Sequence, residues 1–284
     1  MYDLRKLDLS EASLLDDHRL LREVFPAATH ITPAYLSWQY VLNPVGQAVG
    51  FNAFAGQTLA AHYVTLPVRA RVDGRLERGV LSLNTATHPD HQGKKLFTRL
   101  AEATYEEAAA QGYSFVIGVA NANSTPGFTR KLGFQLLAPL EARLGVGPLP
   151  PLDETFTPGF EVSWDLTTLA WRLGNPSRAY RVRMHGPSSQ VEASTGRYGI
   201  QALLGEFPSA LCPARGDGAL PVLNPVRLWL GLEPGRRFSR SLYQTLPERL
   251  RPSPLNLIYR DLTGKRPSLD VTRLRFRALD FDAY

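Results

Sequence analysis

Thr85-Ala86-Thr87-His88-Pro89-Asp90-His91-Gln92-Gly93-Lys94-Lys95-Leu96-Phe97 is the stretch on which the reading of this chain turns. Ahead of it, Gly79-Val80-Leu81-Ser82-Leu83-Asn84 reads as a strand. Behind it, Leu96, Leu100, Ala103 and Ala108 mark the apolar face of a helix that Gly112 ends. A strand, a short glycine-containing turn and a helix start together make an anion site. The first helical turn has free backbone N–H groups, and the positive end of the helix dipole points the same way. Gly93 lets the backbone approach a ligand closely, and Lys94 and Lys95 add two cations. The segment therefore predicts a site for a phosphate-bearing ligand. A Gly-Lys-Lys helix start by itself is more often a solvated turn, so the residues that follow decide.

Those residues continue the pattern. Tyr113-Ser114-Phe115-Val116-Ile117-Gly118-Val119-Ala120 reads as a buried strand, followed by Asn121-Ala122-Asn123-Ser124. A short helix then runs through Phe128-Thr129-Arg130-Lys131-Leu132, and Gly133-Phe134 stops it and opens another strand. In this order the chain resembles the GNAT acyltransferase superfamily: strand, "P-x-x-x-G-K" pyrophosphate loop, long helix, strand, Asn, short helix, "L-G-F". The resemblance covers residues 1 to about 145. It implies an α+β fold with a mixed, largely antiparallel central sheet flanked by helices. It also implies acetyl-CoA or another short-chain acyl-CoA as co-substrate, with no metal. Two positions depart from the family's pattern: Asp90 stands where its loop usually carries Gln or Arg, and Lys95 where it carries a second small residue.

At 284 residues the chain exceeds the usual size of one domain, so two are expected. A 44% hydrophobic content suffices for a real core and excludes a disordered composition. The net charge of +6 favours anionic ligands such as a nucleotide cofactor. It is spread along the chain with no interleaved basic and aromatic patch, so nucleic acid is not an expected partner. One cysteine, Cys212, leaves no internal disulfide, fits a reducing compartment, and reads as a small buried hydrophobe. The first residues start with strand-like alternation, without an apolar signal region, and no apolar run approaches the ~20 residues that span a bilayer. A soluble, cytoplasmic protein is expected.

Taken in order, Tyr2 to Leu9 suggests a strand, and Ser10 caps a helix whose apolar positions include Leu14, Leu20, Leu21 and Val24. Thr32-Pro33 opens a second helix through Leu36, Trp38 and Tyr40, which Asn43-Pro44 stops. Residues 50–55 and 58–70 read as strands, and Asp73-Gly74 is a strong hairpin signal into the central segment. The stretch Gly145-Val146-Gly147-Pro148-Leu149-Pro150-Pro151 is the densest in glycine and proline, and residues 146–162 read as a linker. Beyond it the chain restarts. Leu169-Ala170-Trp171-Arg172-Leu173-Gly174-Asn175-Pro176 echoes Leu36-Ser37-Trp38-Gln39-Tyr40-Val41-Leu42-Asn43-Pro44. The division expected is thus 1–145, the acyl-CoA-binding domain, and 163–284, a degenerate GNAT-like half in tandem on the acceptor side. A short shared pattern also arises by coincidence. The second half has no counterpart of Gly93-Lys94-Lys95, so only the first should bind the co-substrate. Residues 252–259 and 279–284 look like the end of the second half. Asp280 and Asp282 would share a face of a strand, as a solvated edge or a metal pair.

Acyl transfer to an amine needs pyrophosphate binding, stabilisation of a tetrahedral oxyanion, and proton handling. The first falls to backbone amides from His91 and Gln92 through Gly93, Lys94 and Lys95 to Leu96, with Phe97, Ser124 and Phe128 beside them. The resemblance implies that the pantetheine arm pairs like an extra strand with Thr85, Ala86 and Thr87, where a main-chain N–H serves the thioester oxygen. Asn121 sits near the family's Asn slot, either for the pantetheine amides or as a helix cap, a job for which Asn123 and Ser124 compete. Many relatives place a tyrosine four residues before the Gly-Phe glycine to protonate the leaving thiolate; here Thr129 stands there. A thiol of pKa about 8.5 leaves without full protonation. The amine is harder: at a pKa of ~10.4 roughly one part in 2,500 is neutral at pH 7, a cost of about 4–5 kcal/mol. Base candidates are His62, alternatively a structural strand histidine, and Asn84 through a bound water.

The expected acceptor is a small-molecule amine. Enzymes of this family with the "W-x-x-x-x-N-P" opening and an added C-terminal domain resemble N-acyltransferases of surface-polysaccharide pathways, which implies a nucleotide-linked amino sugar. Rival readings are a non-catalytic acyl-CoA sensor or scaffold, which Thr129, Asp90 and Lys95 favour, an acetyltransferase for another small amine, and a transferase drawing on aminoacyl-tRNA. Nothing in the sequence sets the oligomeric state.

Overall fold

The computed structural model describes residues 1–212, 225–251, 253–266 and 268–281. The first part of the chain runs β1 (Asp3–Lys6), α1 (Glu11–Val24), α2 (Pro33–Tyr40), β2 (Val49–Ala55), β3 (Thr58–Val72), β4 (Arg75–Thr87), α3 (Leu96–Ala110), β5 (Phe115–Ala120), α4 (Thr125–Lys131) and β6 (Gln135–Pro139). The local signals explain most of these boundaries. Ser10 and Thr32 accept hydrogen bonds from the amides of Ser13 and Tyr35, satisfying otherwise orphaned donors, and Pro33 opens α2. Asp73 and Gly74 both have positive φ, 47° and 80°, the primed geometry whose twist matches the β3–β4 hairpin.

The rest follows as β7 (Glu141–Val146), β8 (Phe160–Val162), α5 (Leu166–Leu173), β9 (Tyr180–His185), β10 (Ser188–Ser194), β11 (Ile200–Pro208), β12 (Val226–Leu232), β13 (Gln244–Thr245), β14 (Asn256–Asp261) and β15 (Leu274–Arg277). Among the described residues, fifteen strands join one mixed sheet in the order β6-β14-β5-β4-β3-β8-β15-β12-β11-β10-β9, with β2 and β1 branching from β3, and β7 and β13 from β12. Among the described residues, only β4–β5, β11–β12 and β8–β15 are parallel. The architecture is α+β, with helices against a largely antiparallel sheet. Its main core is continuous across the chain, from Val68 and Phe115 to Leu204 and Phe276. Among the described residues, no helix is long and apolar enough to cross a membrane.

Three features differ from the sequence reading. Residues 256–259, read as the close of the second half, form most of β14. That strand lies between β5 and β6, hydrogen-bonded on both edges, with Leu257, Ile258 and Tyr259 buried. A strand apolar on both faces with two open neighbours gains most by inserting there. Residues 146–162 are tied into the fold at both ends: Val146 closes β7 against β12, Leu149 is buried beside Trp229, and β8 pairs with β3 and β15. Asp280 lies in a buried turn, not on a strand edge. Its carboxylate accepts from the Trp164 indole N–H at 2.8 Å and the Arg277 amide at 2.7 Å. Asp282 lies outside the described residues, and no cluster able to hold a metal occurs among those described.

The two echoed tryptophans meet. Trp38 of α2 and Trp171 of α5, 133 residues apart, stack at 4.8 Å between ring centroids. Each indole N–H donates to the other's backbone carbonyl, at 3.0 and 3.1 Å. The contact is a local two-fold between helices of eight residues each.

Candidate active site

β4 and β5 pair in parallel only at Val80–Ser82 with Val116–Gly118. Beyond Ser82 they splay, because β4 carries a bulge: its register against β3 shifts between His62 and Val64, and Asn84 takes φ +47°. A V-shaped opening results, with the β5-facing edge of β4 from Asn84 to Thr87, which has no strand partner there, on one side and Val119 on the other. It forms a cleft of about 890 Å³, the size of a small-molecule site.

The pyrophosphate-type turn stands at its mouth. Residues 89–91 form a single 3₁₀ turn, in which the His91 and Gln92 amides donate back to the His88 and Pro89 carbonyls. The free row of amides therefore starts later than the sequence reading placed it. Among the described residues, the N–H groups of Gly93, Lys94, Lys95, Leu96, Phe97 and Thr98 make no hydrogen bond within the protein; Arg99 is the first to donate back, to Lys95. Gly93 at φ +73° and Lys95 at φ +60° turn this row toward the cleft side of α3. The loop is anchored from outside: His88 Nε2 meets Glu23 Oε1 at 2.8 Å, and the Tyr2 hydroxyl meets His91 Nδ1 at 2.9 Å.

Apolar walls come from Phe97 and Phe128, packed edge-to-face at 5.1 Å, with Gly127 beneath. Gly127 is required: a Cβ there would lie 2.9 Å from the Phe97 ring. Asn121 both caps and lines. Its Oδ1 accepts from the Asn123 and Ser124 amides, its own amide donates to Ser124 Oγ, and its side-chain NH₂ is left exposed at the cleft. Thr129 is not on the wall. Its hydroxyl donates to the Thr125 carbonyl one turn back in α4, and Phe128 faces the cleft instead. On the cleft floor, Ser82 Oγ bonds Tyr63 OH at 2.7 Å, which in turn bonds Tyr105 OH. Burial pushes the Tyr63 phenol up to about 12 and Tyr105 up as well, so both remain neutral hydroxyls.

His62 does not reach the cleft. It is fully buried beneath β4, so the expectation that it meets the acceptor amine gives way to an indirect connection. Its Nε2 lies 3.1 Å from Tyr40 OH, and Tyr40 receives a hydrogen bond from Asn84 Nδ2 at 3.0 Å. Asn84 does line the cleft, as do Thr85, Thr87, His91, Gln92 and Gly93 to Phe97; the Ala86 side chain points into the core under α1 and α2.

Several lining residues escaped the sequence reading. Phe25, His30 and Ile31 come from the end of α1 and its connection to α2, Lys131 from the last turn of α4, and Leu255 from just before β14. No local pattern marks them, because tertiary packing alone brings them to the opening. Asp17 did leave a signal: it stands in the apolar stripe of α1 with Leu14, Leu20 and Leu21, and it is fully buried. Cys212 is half-buried against the main core, away from the cleft, where burial raises its thiol pKa.

Residues 8–137 match the family model of the acetyltransferase (GNAT) domain. The fold is the GNAT fold. Similar solved structures include a probable N-acyltransferase from Enterococcus faecalis V583 (TM-score 0.65, 8% identity, 92% of this chain and 73% of that one). GCN5-related N-acetyltransferases from Anabaena variabilis ATCC 29413 (0.63, 10%, 92% and 74%) and Kribbella flavida (0.61, 11%, 93% and 72%) are also similar. No protein of curated function matches the sequence. The structural likeness extends past the GNAT domain through the second part of the chain. The unpartnered amides at the start of α3, the lysines beside them and the splayed β4 edge fit an acyl-CoA co-substrate. Residues 93–98 would hold its diphosphate, and the β4 edge and Asn121 would lie along its amide-bearing arm.

Proposed function

We propose that the protein is an N-acyltransferase that moves a short acyl group, such as acetyl, from coenzyme A to the amine of a nucleotide-linked amino sugar. The observation that carries the acceptor assignment is the charge of the cleft. Among the described residues its wall holds no Asp or Glu, and beyond Lys94 and Lys95 at the diphosphate end it carries a further cation, Lys131. A polycationic acceptor such as a polyamine or aminoglycoside would meet like charge without a carboxylate to hold it. A weakly basic amine on an anionic carrier suits this wall, and it also needs least help to lose its proton, each unit of amine pKa being worth ~1.4 kcal/mol. The division of labour follows: residues 1–145 hold the acyl-CoA, and 163–284, a degenerate GNAT-like repeat supported by the Trp38–Trp171 two-fold and the Leu255 contribution, wall the acceptor. His62 and Asn84 serve the acceptor side, and the protein works in the cytoplasm.

The reaction joins the amine nitrogen to the thioester carbon and breaks the C–S bond. The nitrogen's proton passes to the departing thiolate or to solvent. A backbone N–H on the cleft-facing edge of β4, between Asn84 and Thr87, would meet the carbonyl oxygen as it gains charge. The test is thiol release from acetyl-CoA with a panel of UDP-linked amino sugars, free amino sugars, polyamines, aminoglycosides and lysine peptides. Turnover with the amino sugars alone supports the assignment. Turnover confined to peptides or polyamines removes the sugar but keeps the enzyme. Coenzyme A binding with no amine acylated assigns the chain to acyl-CoA sensing, the reading that Thr129 in the tyrosine slot favours.

A further inference from the structure

Beneath the bulge, five polar side chains from five different elements form one chain with a fixed direction: Asp17 (α1), Asn52 (β2), His62 (β3), Tyr40 (α2) and Asn84 (β4). All but Asn84 are buried. The direction is set at the closed end. A carboxylate only accepts, so Asn52 must turn its NH₂ to Asp17, at 2.8 Å, and its Oδ1 to His62 Nδ1, at 2.7 Å. Nδ1 therefore carries the imidazole proton; it also lies 3.3 Å from Asp17 Oδ1. In the neutral imidazole Nε2 is then left as an acceptor for the Tyr40 hydroxyl proton, at 3.1 Å. With that proton committed, the Tyr40 oxygen accepts from Asn84 Nδ2 at 3.0 Å. The second Nδ2 hydrogen goes to Gln39 Oε1 at 2.9 Å. Both amide hydrogens of Asn84 are thus taken by the protein. Its Oδ1, without a partner among the described residues, is the atom left for the cleft.

We propose that Asn84 Oδ1 accepts a hydrogen bond from the N–H of the incoming amine, and that Asp17, through Asn52, His62 and Tyr40, fixes the side-chain amide in that orientation. The inference rests on the acyltransferase reading and names the acceptor-side group of the same site. During attack the amine nitrogen gains positive charge as its bond to the thioester carbon forms. A hydrogen bond from its N–H to a neutral, immobilised carbonyl dipole strengthens in that step more than in the ground state. An amide oxygen of this kind does not remove the proton; it orients and stabilises the nitrogen, and the proton leaves to thiolate or solvent as above. Asn84 is then a catalytic residue, and Tyr40, His62, Asn52 and Asp17 are positioning residues. The left-handed φ of Asn84 fits this role, since asparagine tolerates it and it aims the side chain away from the regular alternation of β4.

Two measurements test this on the full chain. Imidazole ¹⁵N resonances of the wild type should show His62 as the neutral Nδ1–H tautomer at pH 7; an Nε2–H tautomer or an imidazolium overturns the proposal. In steady-state assays with acetyl-CoA and UDP-glucosamine or glucosamine as probe acceptors, Asn84→Gly keeps the backbone conformation while removing the amide. It should lower kcat by ~100-fold, with the coenzyme A Kd unchanged within twofold. Tyr40→Phe frees one hydrogen of Asn84 and should lower kcat about tenfold without moving KM for acetyl-CoA. An active wild type with unimpaired Asn84→Gly overturns this proposal alone. A wild type that binds coenzyme A and acylates no amine overturns the acyltransferase reading and this proposal together.

Discussion

At position 93 a side chain would meet nothing within 4 Å, yet the backbone stands at φ +73°. The need for glycine there is conformational, not steric. A β-branched residue is strained by roughly 1–2 kcal/mol in that region and relaxes by swinging the following amides away. Gly93→Val is expected to weaken coenzyme A binding at least tenfold by calorimetry. Gly93→Asn, which tolerates left-handed backbone, should lose only a few-fold. Equal losses in both would show that bulk, not backbone, matters. Lys95 adopts the same region without being glycine, at the residue that caps α3 with no side-chain hydrogen bond. This is a local conflict between sequence and conformation of the sort that gathers at functional sites.

The elements around the cleft divide into those that shape it and those that stand behind. α4 is an example within seven residues: Phe128 faces the opening, while Thr129 bonds back along its own helix. Replacing Thr129 by Val removes one local hydrogen bond and touches no cleft group. Turnover is expected to stay within twofold and the melting temperature within about 1–2 °C, and Thr129→Tyr should likewise change kcat little. A several-hundredfold loss in Thr129→Val with binding intact would give the hydroxyl a role in protonating the leaving group. The stacked pair of α2 and α5 behaves differently. Trp171→Ala deletes a partly buried ring, its stack on Trp38 and the hydrogen bond from its indole N–H to the Trp38 carbonyl, while the Trp171 carbonyl still accepts from Trp38, so a loss of about 2–3 kcal/mol in denaturant unfolding is expected.

The whole molecule is stitched by β14, which crosses from the second part of the chain into the sheet of the first. Residues 1–145 alone would expose the facing edges of β5 and β6, together with the apolar surface that Leu257, Ile258 and Tyr259 cover. That fragment is expected to aggregate or self-associate, and a peptide of residues 253–266 to restore a soluble monomer by light scattering. A stable monomeric 1–145 would mean the strand is dispensable. Stability should also fall at high pH. The Tyr63 phenol is held at about 12, and Tyr40 and Tyr105 are pushed upward as well, all chiefly by burial. The folded chain holds these protons more tightly than the unfolded one. Their contribution is complete below pH 10 and is lost as the pH rises from 10 toward 12, by about 3 kcal/mol for Tyr63 alone. Thermal melts between pH 9 and 12 check this, with Tyr63→Phe expected to flatten the decline.

What the sequence determined by itself is what short-range physics encodes. Ser10 and Thr32-Pro33 set helix starts, Asp73-Gly74 set a hairpin, and the run from Gly79 to Phe134 spelled out strand, turn, helix, strand and short helix in an order that pointed to the GNAT fold. Capping, positive-φ turns and apolar periodicity act over a few residues, so a linear reading captures them. The reading also placed Gly93, Lys94, Lys95 and Asn121 together, because they sit at the ends of consecutive elements. What only the tertiary structure decided depends on contacts far apart in the chain. The insertion of β14 between β5 and β6 follows from open strand edges that exist only once the sheet is built. The burial of His62 behind Tyr40, the exposure of Asn84 at a bulge, and the arrival of His30 and Leu255 at the cleft follow from how five elements pack around one opening. A strand's alternation says which side chains share a face, but which face is buried, and beneath what, is fixed by the partner that covers it.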